Sequence, residues 1–350
     1  MRQMANLSEN ITLFVISFVA GLIAVALVRY VCNKNGWVAH PQKDRWHTKS
    51  TALHGGVGIM LAWLPLVLTS LNTAQVIPQV FYFFFAGLII IFFVGFLDDI
   101  YHFRPRTKLV WQIIVALLVV SNNIVIQFST WGILNQFVTI IWIVGMINAV
   151  NMIDNMDGLS AGIVLIVSIF VWYIMFNTNN QFTSLPLSMV VIFGGVLVGF
   201  LFFNYNPASI FMGDSGSLFI GYFISVMVIP SEINSYFGIN KSLYTFDYRA
   251  LVIPVMLMAI PITDLLFVSV NRFLAGKKIY QGGRDHMSHR LVNLGYKERK
   301  SVFILYFCGV LSGLSAILST LYAEYILVLI CLVLIMLILL VKFIKQDKKV

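Results

Sequence analysis

The chain has 350 residues, of which 59% are hydrophobic and only 11% charged, with a net charge of +9 and a mean hydropathy of +0.90. A soluble chain of this length carries about a quarter charged residues, so this one lacks the polar side chains to cover a water-exposed surface and takes the bilayer as its solvent. Within lipid the backbone must bond to itself, so long apolar stretches mean helices.

In chain order, about eleven apolar stretches are predicted to be spanning helices: 11–31, 56–71, 79–97, 109–127, 135–151, 160–176, 186–203, 216–230, 250–270, 302–320 and 324–343. The first is too long for a signal-peptide core and lacks a basic flank, so it reads as a retained helix. Neither a soluble domain nor an internal repeat is evident, and residues 1–350 read as one integral-membrane domain of all-α class. Cys32, Cys308 and Cys331 show no pairing pattern.

All Lys and Arg residues except Arg2, Lys241 and Arg249 fall after odd-numbered stretches or in the tail. By the positive-inside rule the amino terminus is outside and the carboxyl terminus cytoplasmic. The basic excess is thus mainly a topology signal, suited to an anionic membrane surface or substrate, and nucleic acid is not expected as a partner.

Polar chemistry gathers in four segments on the cytoplasmic side: GFLDDIYHFRPRTK (95–108), NAVNMIDNMDGLSAG (148–162), FNYNPASIFMGDSGS (203–217) and GGRDHMSHRLVNLG (282–295). In the first, Asp98 and Asp99 end an apolar helix, where the dipole disfavours carboxylates by a few tenths to ~1 kcal/mol each and the two repel. A cation is expected beside them, either Mg²⁺ or Lys108 folding back. The alternative is a solvated loop start. In the second, Asn148, Asn151, Asp154 and Asp157 recur every three residues and line one face if the helix continues. Hard oxygens of this kind are what Mg²⁺ accepts, although an Asx-rich turn would also use them.

The third segment opens a helix with Gly213-Asp214-Ser215-Gly216-Ser217, leaving amides free for an anion or simply capped by Asp214 or Ser215. Its Gly-Asp-Ser-Gly is not that of a trypsin-like protease, because it begins a membrane helix. The fourth places His286, His289 and Arg290 on one helical face, a cationic hand for phosphate or sugar; zinc would need further ligands. The loop HPQKDRWHTKSTALHGGVG (40–58) is also basic and His-containing, and adds little alone. Together the loops offer acids for a metal and amides and bases for phosphate, all at one membrane surface. A secondary transporter would instead place polar groups near the midplane, where Asp264 is the one plausible buried acid.

These segments resemble the polyprenyl-phosphate N-acetylhexosamine-1-phosphate transferases of bacterial envelope synthesis, over nearly the whole chain. DDIYHFRPRTKL, NAVNMIDNMDGL, NPASIFMGDSGS and DHMSHRLVNLGY carry the likeness, with Ser288 where the third position of His-x-His-His is usually histidine. The resemblance implies transfer of N-acetylglucosamine-1-phosphate from UDP-N-acetylglucosamine to undecaprenyl phosphate, releasing UMP, in the bacterial cytoplasmic membrane. It implies Mg²⁺, with Mn²⁺ as a substitute, and leaves room for a homodimer. By resemblance, Asp98 and Asp99 act on the lipid phosphate, and Asp154, Asp157 and Asp214 hold the metal or order its shell. Lys108, Asn148, Asn151, Asn204, His286, His289 and Arg290 contact substrate. The loops at 40–50 and 286–306 resemble the N-acetylglucosamine branch, with teichoic-acid synthesis as the pathway, rather than the muramoyl-pentapeptide branch.

Overall fold

The computed structural model describes residues 2–40, 50–73, 79–177, 184–229, 249–278 and 283–322, together with 330, 334 and 338. Twelve helices account for most of them: α1 (Arg2–Asn35), α2 (Gly55–Thr73), α3 (Gln79–Tyr101), α4 (Pro105–Val120), α5 (Gly132–Ile153), α6 (Leu159–Asn177), α7 (Ser184–Asn204), α8 (Gly213–Met227), α9 (Arg249–Leu257), α10 (Ala259–Leu274), α11 (Met287–Asn293) and α12 (Glu298–Leu321). These agree with the all-α expectation. A two-residue antiparallel ribbon, β1 (Val38–Ala39) with β2 (Thr51–Ala52), closes the α1–α2 connection, and Ala52 bridges to Ile210.

The protein is a polytopic helical membrane protein. Six described helices are long and apolar enough to cross a bilayer, or seven if α9 and α10 count as one broken span. The stretch predicted at 250–270 is not one rod: α9 and α10 meet at 79°. Pro261, in the first turn of α10, has no amide to donate back across the break to the Leu257 carbonyl, and Pro254 removes a donor within α9. The stretch at 109–127 stops being helical at Val120, and α8 starts at Gly213 rather than 216. The stretch at 324–343 lies outside the described residues except at 330, 334 and 338.

With lipid as apolar as leucine, helices associate through close packing and polar contacts. Along the α1–α7 seam, a Cβ at Gly195 would lie 2.6 Å from the Phe14 carbonyl oxygen, and one at Gly199 2.7 Å from the Leu22 nitrogen. Bare backbone is what lets these helices touch. The aromatic core holds Trp63, Phe84, Phe193, Phe219, Tyr222 and Phe223. Their polar tips find backbone acceptors: Trp63 Nε1 donates to the Met189 carbonyl at 3.3 Å and the Tyr222 hydroxyl to the Phe84 carbonyl at 3.2 Å. Outward-facing Ile11, Phe93, Ile133, Phe137 and Phe202 are exposed, as suits a lipid boundary. The ends of α3, α5, α7 and α10 and the starts of α2, α4, α6, α8 and α12 meet on one side of the bundle, where hydrogen bonds between their loops build the polar centre.

Candidate active site

Asp98 closes α3 and also faces the centre. Its Oδ1 accepts the Phe103 N–H at 2.6 Å, satisfying a donor just past the helix, where His102 takes a left-handed φ of 52°. Its Oδ2 accepts Lys108 Nζ at 2.9 Å. Lys108 stands in the first turn of α4, an unfavourable place for a cation. It is held there by a second bond, Nζ to Asp214 Oδ2 at 2.7 Å. Burial works against the Lys108 ammonium, but the charges of Asp214 and Asp98 outweigh it and raise its pKa above the ordinary lysine value. Burial pushes the Asp214 carboxyl up, yet hydrogen bonding with Asp98, Lys108 and Asn151 and the lysine charge leave it below the usual range. The cation expected beside the Asp pair is Lys108, which joins two acids 116 positions apart.

Asp99 points elsewhere. One residue further round α3, its Oδ1 accepts the Asp214 N–H at 2.7 Å and its Oδ2 the Ser215 N–H at 3.1 Å. These are first-turn amides of α8, so Asp99 caps that helix from a neighbouring element. The N-cap residue itself, Met212, gives no side-chain bond, and neither Asp214 nor Ser215 is the cap. His54, at a left-handed φ of 64°, brings Nδ1 to 3.5 Å from Asp99 Oδ2 and rests against Phe96 and Trp37. Gly213 has φ 75°, and a Cβ there would fall 2.7 Å from the Asp99 carboxylate; only glycine permits the approach.

The face expected over Asn148, Asn151, Asp154 and Asp157 does not form as one, because α5 ends at Ile153. Asn151 still reaches the centre, its Nδ2 donating to Asp214 Oδ1 at 3.1 Å and Ser217 Oγ at 2.8 Å. Asn148 pairs reciprocally with Gln112, one turn beyond Lys108, at 2.7 and 3.3 Å. Asp154 is the C-cap of α5. Asp157 lies past it in the turn, and its Oδ2 accepts the Ala208 N–H at 2.9 Å and the Asn206 amide at 3.2 Å. The same amide donates to Glu298 Oε2 at 2.6 Å. Asn204 is buried, accepting the Gly158 N–H at 3.0 Å and donating to the Ile210 carbonyl at 2.8 Å. It ties the α5–α6 turn to the loop before α8.

The last segment forms its own cluster. His286 is the N-cap of α11 and, like His289, is buried. Burial, then the neighbouring His286, lower the His289 pKa to about 4, so His289 is neutral near pH 7. Arg290 lies over the Phe267 ring at 4.9 Å. Ser288 Oγ donates to Asn155 Oδ1 at 2.7 Å, bringing the segment against the α5–α6 turn. The structure therefore gathers Asp98, Lys108, Asn151 and Asp214, with Asp99 behind them. It holds Asn148, Asn204 and Asp157 in supporting contacts and sets the basic residues on a neighbouring helix. Sequence reasoning passed over Gln112, Asn155, Asn206 and Glu298, and named Ser217 only as part of the turn that opens α8. The i, i+4 spacing of Gln112 from Lys108 and the i, i+3 spacing of Ser217 from Asp214 were the available signals.

A helical bundle in the membrane with acids from separate helices converging on a half-buried lysine at one face is a membrane-embedded enzyme. Residues 81–232, from α3 through α8, match the family described as Glycosyl transferase family 4. The chain is 33% identical to a "Probable undecaprenyl-phosphate N-acetylglucosaminyl 1-phosphate transferase" of Bacillus subtilis (strain 168), over 87% of this chain and 83% of that protein. It is 29% identical to a "Decaprenyl-phosphate N-acetylglucosaminephosphotransferase" of Mycobacterium leprae (strain TN), over 81% and 77%. It is 27% identical to a "Phospho-N-acetylmuramoyl-pentapeptide-transferase" of Acetivibrio thermocellus, over 87% and 94%. The chain belongs to glycosyl transferase family 4 and is a multi-pass membrane transferase.

Proposed function

We propose that the protein transfers N-acetylglucosamine-1-phosphate from UDP-N-acetylglucosamine to undecaprenyl phosphate, the first membrane step of a cell-envelope polymer, with teichoic acid as the pathway. The observation that carries this reading is that Asp98 and Asp214 converge on a cation, Lys108, at the start of α8, a net-negative centre of the kind that draws Mg²⁺ to a diphosphate. The higher identity to the N-acetylglucosamine relatives than to the pentapeptide relatives supports the donor.

In the reaction, an oxygen of the lipid phosphate bonds to the β-phosphorus of the donor, the bond from that phosphorus to the bridging oxygen breaks, and UMP leaves. Catalysis of such transfers is mainly positioning and charge neutralisation. A phosphate monoester, with a second pKa of about 6, is largely ionised at neutral pH, so no carboxylate is required to deprotonate it. Asp98 and Asp214 keep Lys108 charged and aimed; Asn151 fixes the Asp214 carboxylate; Asp99 fixes the peptide that carries it.

Mg²⁺ belongs to the proposal. The Asp98 and Asp214 oxygens already converge on a cation, the Lys108 ammonium, and among the described residues no group of three His, Cys, Asp or Glu side chains gathers as a closed cage. That donor set fits an ion held by one or two carboxylates with water and substrate phosphate completing it. Asp214 and Asp98 would hold it, with Asp154 and Asp157 ordering its shell, and when bound it would neutralise the diphosphate. Purified protein with undecaprenyl phosphate and UDP-N-acetylglucosamine should release UMP with Mg²⁺ or Mn²⁺ and stop in EDTA. Turnover with the muramoyl-pentapeptide donor alone would replace the donor assignment, and full activity in EDTA would remove the metal.

Eleven spans with the amino terminus outside complete the reading. Reporter fusions after residues 50, 150, 210 and 285 are expected to report cytoplasm, and fusions near 180 and 240 the outside. A cytoplasmic signal at 240 would overturn the count.

A further inference from the structure

Two charged side chains sit in the broken span and take no part in the acid–lysine centre. Asp264 and Arg272 lie two turns apart on α10, only 2% and 5% exposed. Charges on an apolar membrane helix are costly and persist when paired. Both are paired with the same short segment. The Asp264 Oδ2 meets His286 Nδ1 at 2.7 Å, and its Oδ1 accepts the Met287 N–H at 2.9 Å. Arg272 grips Asp285 through Nε and Nη2, each at 2.7 Å. The start of α11 is thereby bolted to α10 at three consecutive residues, and the cation–π contact of Arg290 with Phe267 of the same helix adds a fourth point.

We infer that Asp264 is a positioning residue of the transfer reaction, acting through His286. The inference rests on the proposed function for its substrates. A carboxylate accepts, so the bond to the ring places a proton on Nδ1 and leaves Nε2 as the nitrogen free to meet the donor nucleotide sugar, in the role the sequence resemblance implies for His286; which imidazole nitrogen carries hydrogen is set by the partner of the other. With its second oxygen on the Met287 amide, Asp264 fixes both the tautomer and the ring's direction. The logic is that of a buried carboxylate behind a working histidine. Arg272 holds the preceding residue, so the segment cannot swing away while the ring is engaged. His289, 5.9 Å from His286 between ring centroids, is neutral and does not compete for the Asp264 charge.

Asp264→Asn separates the two roles. The amide oxygen still accepts the Met287 N–H, while the carboxylate oxygen that accepts from the ring Nδ1 is lost. In nanodiscs with undecaprenyl phosphate, UDP-N-acetylglucosamine and Mg²⁺, this variant should lose about 10–100-fold in kcat/KM for the donor, the scale of removing a carboxylate behind a functional histidine, with KM for the lipid unchanged. The double variant D264N/H286Q should be no slower than H286Q alone. Histidine-selective ¹⁵N NMR of the wild-type protein should show His286 protonated at Nδ1. An Nε2-protonated ring, effects of the two substitutions that simply multiply, or wild-type donor kinetics in D264N would each overturn the inference. A wild-type protein that uses no UDP-N-acetylglucosamine would instead remove the proposed donor, and the NMR measurement would still decide the role of Asp264.

Discussion

Lys108→Met is expected to cut UMP release by at least about 10²–10³-fold, the scale of losing one preorganised charged group. The methionine keeps the bulk of the stem and removes the cation. Asp98 is 7% exposed, and without the ammonium its carboxylate and that of Asp214 face each other with no positive charge between them, an arrangement that costs more than the lost pair itself. Asp214→Asn should fall in the same range, because it removes one of the two anchors of Lys108 and the partner of Asn151. Lys108→Arg should recover part of the rate: the charge returns, but a planar fork does not fit where a compact ammonium bridges two single oxygens. The measurement is steady-state UMP release from variants that remain monodisperse in detergent. Wild-type turnover in Lys108→Met would return the lysine to a structural role and take the proposed centre with it.

Gly56→Ala is expected to lose activity through the fold. A Cβ at Gly56 would lie 2.1 Å from the Gly216 nitrogen and 2.3 Å from its Cα. The obstacle is backbone of α8 at the turn that carries Asp214, so no side chain can move aside. Overpacking ordinarily costs about 1–3 kcal/mol, and a clash of backbone on backbone belongs at or beyond the top of that range. Gly95→Ala should behave alike, with its Cβ 2.3 Å from the Asp214 carbonyl oxygen. Gly145, where a Cβ meets nothing within 4 Å, is the control and should tolerate alanine. Thermal unfolding in detergent checks the series. A Gly56→Ala protein as stable as the Gly145→Ala control would show that α2 and α8 are not in register as described.

The sequence by itself determined the solvent, the helices and the neighbourhood of the chemistry. Apolar stretches in lipid have no alternative to helix, and Asp98, Asp99, Asn151, Asp157 and Asp214 stood out because a chain so poor in charge placed them at helix ends on one side. It could not apportion their roles, since those depend on which helix ends meet. Asp98 and Asp99 are neighbours in sequence, yet one faces Lys108 and the other caps α8, because adjacent helical residues point about 100° apart. The spacing of three in α5 suggested a continued face, but the helix ends at Ile153 and the turn sends Asp157 to Asn206 and Ala208. Asp264 was visible as a buried acid, but its partner His286 is 22 residues away, across the α10–α11 connection. Composition and periodicity act along the chain, and so they fixed the elements. The site is made where separate elements come within hydrogen-bonding distance, and that was decided by glycine contacts such as Gly56 on Gly216, whose closeness appears only once the helices are packed.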